Sequence, residues 1–278
     1  MRGPLVGVDE LAAELTAGRA IVLLDVRWTL NGPPGRPDFE AGHLPGAVYV
    51  DLETELTTHG ECGGRHPLPE REVFQAAMRR AGVGEGSAVV VYDGATALAA
   101  SRLWWLLTDA GHEDVRVLDG GYAAWRQAGR PVETGSGSQA CPGGFVARPG
   151  HRRTWDADDV LRVVQAGEGP VLVDVRAADR YAGENETVDP VAGHIPGAIS
   201  RPSTENLTAA GTFRTRAEVA TRFAGLGEAP VLYCGSGITA AHTLLALESA
   251  GLSGSIYAGS WSDWITDPDR PRATGPRP

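Results

Sequence analysis

The sequence of 278 residues holds three cysteines, and one of them stands apart by its surroundings. Cys234 closes the apolar run Val231-Leu232-Tyr233. It is followed by Gly235-Ser236-Gly237-Ile238-Thr239-Ala240 and then by the apolar stretch Thr243-Leu244-Leu245-Ala246-Leu247. A strand that ends at a thiol, a turn rich in Gly and hydroxyls, and then a helix surround the sulfur with backbone N–H groups and a positive dipole end. Both favour the thiolate, the nucleophilic form of cysteine. Taken alone, the same stretch also fits a core cysteine before a flexible loop, because free cysteine is commonly buried. Cys62 and Cys141 lie far off in sequence. An odd number at wide spacing fits neither a disulfide framework nor a zinc site, so reduced thiols are expected, and no metal or cofactor.

The elements that position Cys234 occur twice. Leu23-Leu24-Asp25-Val26-Arg27 recurs as Leu172-Val173-Asp174-Val175-Arg176, and Ala41-Gly42-His43-Leu44-Pro45-Gly46-Ala47 as Ala192-Gly193-His194-Ile195-Pro196-Gly197-Ala198. Val91-Tyr92-Asp93-Gly94 aligns with Leu232-Tyr233-Cys234-Gly235, and Trp125 with Trp264. Matches in one order, at a slowly drifting offset, mark a duplicated domain. Each copy alternates short apolar runs with amphipathic stretches. The first reads as helix at 8–17, strand at 20–26, helix at 70–80, strand at 88–92, helix at 96–110 and strand at 115–118. The second repeats this at 155–165, 171–175, 216–224, 231–233, 238–250 and 255–257, with a capping-box pattern at Thr215 and Glu218. Such alternation predicts an α/β fold in which each copy is a mainly parallel five-stranded sheet with helices on both faces. Chemistry on such sheets sits at the carboxyl ends of strands, where Cys234 falls. The expected division is a first domain at 1–130, a linker rich in Gly, Ser and Pro at 131–153, and a second domain at 154–278.

Composition narrows the partners. A net charge of −10 argues against a nucleic-acid surface. No apolar run is long enough for a membrane span, and the start lacks the apolar core of a signal peptide, so a cytoplasmic location is expected. All 25 basic residues are arginine, which leaves no lysine for a Schiff base or an ammonium anion site.

Phe39-x-x-x-His43-Leu44-Pro45-Gly46-Ala47 and Tyr257-Ala258-Gly259-Ser260-Trp261-Ser262-Asp263-Trp264, together with the duplication, resemble the two-domain rhodanese-type sulfurtransferases. The resemblance implies tandem rhodanese-like domains, the second catalytic and the first without its own cysteine; Asp93 at the position of Cys234 fits that division. Cys-Gly-Ser-Gly-Ile-Thr at 234–239 resembles the loop of the 3-mercaptopyruvate sulfurtransferases. Members that prefer thiosulfate tend to carry Arg and Lys where Gly235 and Ser236 stand.

The implied reaction is sulfur transfer from 3-mercaptopyruvate through a Cys234 persulfide to a thiol such as a low-molecular-weight thiol or thioredoxin, or to cyanide, with release of pyruvate. Backbone N–H groups of Gly235, Gly237, Ile238, Thr239 and Ala240, with that of Ser236, would hold the anionic sulfur. Ser236 resembles a proton-relaying serine, although a hydroxyl capping the next helix fits as well; Thr239 is either a partner of the outer sulfur or structural. Arg180 matches the family's donor-binding arginine, suited to a carboxylate through paired hydrogen bonds. The mercaptopyruvate enzymes often carry a second arginine downstream, but Asp189 stands there and no arginine occurs between Arg180 and Arg201. His66 resembles the family's His-x-x-Pro histidine, a proton relay or else a surface loop residue, with its acid at Asp51 or Glu53.

His43, His194, Asp25 with Arg27, and Asp174 with Arg176 occur once per copy and are expected to be structural. Thiosulfate sulfurtransfer at the same cysteine and a non-enzymatic sulfur-carrier module are the alternatives. A cysteine phosphatase would need an arginine at position 240, which is Ala.

Overall fold

A computed structural model of the chain describes residues 3–58, 64–148 and 150–278. Ten strands are present among these residues: β1 (Leu5–Val6), β2 (Ile21–Asp25), β3 (Val48–Tyr49), β4 (Ala88–Tyr92), β5 (Val115–Leu118), β6 (Thr154–Trp155), β7 (Leu172–Asp174), β8 (Ile199–Ser200), β9 (Val231–Tyr233) and β10 (Ser255–Tyr257). They form two five-stranded sheets of order β1-β5-β4-β2-β3 and β6-β10-β9-β7-β8. Every pairing is parallel. The second order is the first translated strand for strand, so the duplication inferred from four short matches extends to the whole sheet.

All five residues of β4, Ala-Val-Val-Val-Tyr, are buried. An unbroken apolar run of this kind needs cover on both sheet faces, which parallel crossover connections supply. The long helices Leu98–Asp109 and Ile238–Ser249 follow β4 and β9 directly. Nine residues in the interior of each are buried, including Trp104 and Trp105 in the first. The capping box at Thr215 and Glu218 forms with both of its hydrogen bonds.

Two compact units divide the chain, but not at the expected boundaries. Among the described residues, one comprises 3–58, 68–148, 150–151 and 209–212; the other comprises 64–67, 152–208 and 213–278. Residues 131–151, expected as a linker, pack on the first unit. Ser138 N–H donates to Ala47, Gly143 N–H to Arg79 and Arg148 N–H to Ala110, and Phe145 is 2% exposed. Composition signalled irregular backbone there and said nothing of where it lies.

The doubled histidines behave alike. His43 and His194 are fully buried, each with Nδ1 2.8 Å from a carbonyl, of Phe39 and Tyr181 respectively, and each stacked on that residue's ring. The acid–arginine pairs differ in strength. Arg176 grips Asp174 through Nε and Nη2. Arg27 approaches Asp25 only through Nε at 3.2 Å, and its guanidinium lies over the Tyr122 ring.

Candidate active site

The loop after β9 is built like an anion cradle, and the first copy shows what it holds there. Asp93, at the end of β4, accepts hydrogen bonds from the N–H groups of Ala95 and Ala97 at 3.0 Å and of Ala99 and Ala100 at 3.1 and 3.4 Å. Burial pushes the Asp93 carboxyl up, and the four N–H groups oppose that shift. In the second copy Cys234 ends β9, and the helix Ile238–Ser249 begins just beyond with Gly237 at its cap. Gly237 has φ +84°, a conformation open to glycine at little cost. Its N–H points at Cys234 Sγ from 3.1 Å. A backbone donor and a helix N-terminus thus meet the sulfur and favour negative charge on it. Cys234 is 2% exposed.

Behind the sulfur lies Ser260, which the sequence reading did not single out. Its Oγ accepts from Cys234 N–H at 3.1 Å, donates to the Tyr257 carbonyl at 2.9 Å and stands 3.9 Å from Cys234 Sγ. Ser260 has φ +56°, a strained value for a residue with a Cβ, and Gly121 has the same φ at the equivalent position of the first copy. A Ser in the place of a Gly was the signal available for it. The N–H groups of Trp261 and Ser262 donate to the carbonyls of Cys234 and Gly235, which ties the loop to this turn.

Residues 64–67 belong to the same unit as Cys234. Gly64 has φ +83°, and a Cβ there would lie 2.5 Å from Ser262 Oγ and 2.9 Å from Asp263 N, so the chain passes the turn at a separation that only glycine allows. Arg65 N–H then donates to Ser262 Oγ at 3.0 Å. This places His66, 7% exposed, with Nδ1 2.7 Å from Ser236 Oγ. The Ser236 hydroxyl therefore meets His66, and no side chain caps the helix Ile238–Ser249. Thr239 is half-buried in that helix's first turn.

Arg180 extends from the helix Ala178–Ala182. Its Nε and Nη2 donate to Glu186, and Nη2 also donates to Asp189 Oδ2 at 2.9 Å. The second guanidinium missing downstream of Arg180 arrives from elsewhere. Arg65 Nη1 pairs with Asp189 Oδ1, and a Cβ on Gly235 would lie 2.6 Å from Arg65 Nη2 and 3.7 Å from Arg180 Nη2. Two cations thus converge over the residue next to the cysteine, where a Cβ would displace the Arg65 guanidinium. The Arg65 Nε is buried without an acceptor among the described residues. Burial pulls the Arg65 guanidinium down from its ordinary value, and the Cys234 sulfur beside it is the largest influence holding it up. The sequence signal was adjacency to His66.

Cys234, Ser236, His66, Arg180 and the loop 235–240 are therefore gathered in one unit. Asp51 and Glu53 lie in the other, with local partners. Asp51 caps the helix Leu52–Glu55 through Thr54 N–H and accepts from the Tyr49 hydroxyl, while Glu53 accepts from Trp28 Nε1 at 2.6 Å. Cys141 is exposed, and Cys62 lies outside the described residues. Among the described residues no His, Cys, Asp and Glu cluster could hold a metal ion, and no helix is long and apolar enough to cross a membrane.

Comparison with known proteins bears on the family. Residues 7–128 and 156–267 each match the family model described as Rhodanese-like domain. A Mycobacterium tuberculosis protein named as a thiosulfate sulfurtransferase, SseB, is 43% identical over 281 residues, spanning 98% of this chain and 97% of its own. A Pseudomonas aeruginosa protein named as a 3-mercaptopyruvate sulfurtransferase is 42% identical over 281 residues, spanning 98% of each. Among solved structures, SseA from Escherichia coli, described as a 3-mercaptopyruvate sulfotransferase, superposes with a TM-score of 0.81 at 32% identity, over 94% of this chain and all of that one.

Proposed function

Because the chain belongs to the tandem rhodanese-like sulfurtransferases, we propose that Cys234 takes the sulfur of 3-mercaptopyruvate and carries it as a persulfide to an acceptor thiol. The observation that carries this reading is the match between two loops. One holds a fixed carboxylate, Asp93, on backbone N–H groups; the other holds Cys234 sulfur against Gly237 N–H at 3.1 Å. A cradle made for an anion, with a nucleophile placed in it, suits a sulfur that alternates between thiolate and persulfide.

Thiolate Cys234 attacks the thiol sulfur of the donor, and the S–S bond forms as the donor's C–S bond breaks. The electron pair leaves on carbon as the pyruvate enolate. The proton that the attacked thiol gives up returns to that carbon, and Ser236 with His66 Nδ1 at 2.7 Å offers a path for it. Arg180 and Arg65 suit the donor carboxylate. An acceptor thiolate then attacks the outer sulfur, takes it and restores the Cys234 thiolate. A low-molecular-weight thiol or thioredoxin in the cytoplasm fits this second half.

Thiosulfate is the competing donor, favoured by the name of the Mycobacterium tuberculosis relative. Against it stand Gly235 and Ser236, which add no cation to the loop for a dianion. Incubation with 3-mercaptopyruvate is expected to release pyruvate and to add about 32 Da, one sulfur atom, to Cys234. Cys234→Ser should show neither. A clear excess of kcat/KM for thiosulfate over 3-mercaptopyruvate would reverse the choice of donor.

A further inference from the structure

We infer that Asp189 sets the charge accepted by the anion site over Gly235, so that a monoanionic donor is preferred to a dianionic one; this rests on the reading of that site as the place of the donor's anionic group. Asp189 is buried, its side chain 1% exposed, and one carboxylate serves both guanidiniums, Oδ1 to Arg65 and Oδ2 to Arg180. Glu186, its side chain 3% exposed, takes Arg180 a second time and also pairs with Arg176. Arg176 is already held by Asp174. The two cations that face the loop are therefore matched by two buried carboxylates, Asp189 and Glu186.

The consequence is electrostatic. The guanidinium N–H groups that would shape a carboxylate site are held in place by these pairs. The net charge of that site is near zero before Cys234 ionises and negative afterwards. A monoanion can be held there by directed hydrogen bonds. A second negative charge would enter with no counter-ion, in surroundings where charge interactions are weakly screened. Asp189 touches no donor in this scheme. It is a positioning residue that also subtracts one positive charge.

Asp189→Asn removes the charge and keeps the shape. Any lost orientation of Arg65 and Arg180 weighs on both donors alike, whereas the electrostatic gain is twice as large for a dianion as for a monoanion. The measurement is kcat/KM for thiosulfate and for 3-mercaptopyruvate, with inhibition by sulfate as an unreactive dianion, on the full-length protein.

The ratio of thiosulfate to 3-mercaptopyruvate is expected to rise about tenfold in Asp189→Asn, and the sulfate inhibition constant, which carries the full dianion gain, to fall by up to about a hundredfold. Asp189→Glu should keep the wild-type ratio. Arg65→Gln, at a side chain 27% exposed, should move the ratio the opposite way, which keeps the idea testable if the Asp189 variants do not fold. A ratio within twofold of wild type in Asp189→Asn, or in Arg65→Gln if only that variant folds, overturns the proposal. Wild-type protein that makes no persulfide from 3-mercaptopyruvate overturns the donor reading alone, since thiosulfate turnover and its inhibition by sulfate still decide the role of Asp189.

Discussion

Cys234, Ser236 and His66 divide the proposed chemistry between a sulfur held by Gly237 N–H and a hydroxyl held by an imidazole. The two tasks separate experimentally. Departure of pyruvate enolate calls for a proton at carbon, whereas departure of sulfite from thiosulfate does not. Ser236→Ala is therefore expected to lower kcat with 3-mercaptopyruvate by about a hundredfold, within the range of general acid–base catalysis. It should lower thiosulfate turnover far less. Equal losses with the two donors would show that the hydroxyl shapes the loop rather than moving a proton. Cys234 and Ser236 were legible in the sequence because the repeat supplied a control: Asp93 fills the same turn, so the fold does not require sulfur there. Arg65 and Ser260 were not legible as site residues. The place of Arg65 depends on Gly64 passing the 259–263 turn, and that of Ser260 on a backbone at φ +56°. The first is an outcome of packing between stretches remote in sequence, and the second shows locally only as a Ser where the first copy has Gly121.

The strand–loop–helix element explains why the two copies can share one architecture and differ in chemistry. In the first copy the loop's donors are satisfied permanently by Asp93. Removing that carboxylate leaves buried N–H groups without partners, at about 1–3 kcal/mol for an unsatisfied group. Asp93→Ala is expected to lower the stability of the first unit by about 3 kcal/mol in urea unfolding, while persulfide formation on Cys234 in the native protein persists. Loss of persulfide formation by the folded variant would mean that the first loop serves the reaction too. At this scale the sequence was informative wherever apolar runs were long. The central strands and long helices lie where periodicity put them, to within a residue or two. The edge strands β1, β3, β6 and β8 are two residues each, too short for alternation to register.

Across the whole molecule, acid–arginine pairs recur in both units with unequal strength, and pH should expose the weaker. Burial raises the Asp25 carboxyl to about 7, against the opposing pull of Arg27. A carboxyl whose folded value lies above its unfolded one holds its proton more tightly in the native state. Its contribution is complete below about pH 4 and is lost as pH rises through about 7. The first unit should therefore lose stability between those limits through this group, by at most about 1.4 kcal/mol per pH unit. Asp25→Asn should flatten the difference between urea unfolding at pH 5 and at pH 7; an unchanged slope in the variant would remove Asp25 as the cause.

The division into units carries a further consequence. Residues 64–67 of the first copy belong to the second unit, and residues 209–212 of the second copy belong to the first. Both stretches fall between the aligned His43/His194 and Asp93/Cys234, so they are the same place in the repeat. The exchange is reciprocal, as in a swapped dimer whose protomers have been fused into one polypeptide. What passes one way is Ala209-Ala210-Gly211-Thr212, without an ionisable side chain; what passes the other way includes Arg65 and His66. The first copy thus contributes an imidazole and a guanidinium to the unit that holds Cys234, with His66 170 positions away from Ser236 in sequence. Severing the chain between the two copies would leave Cys234 in a half that has lost both side chains.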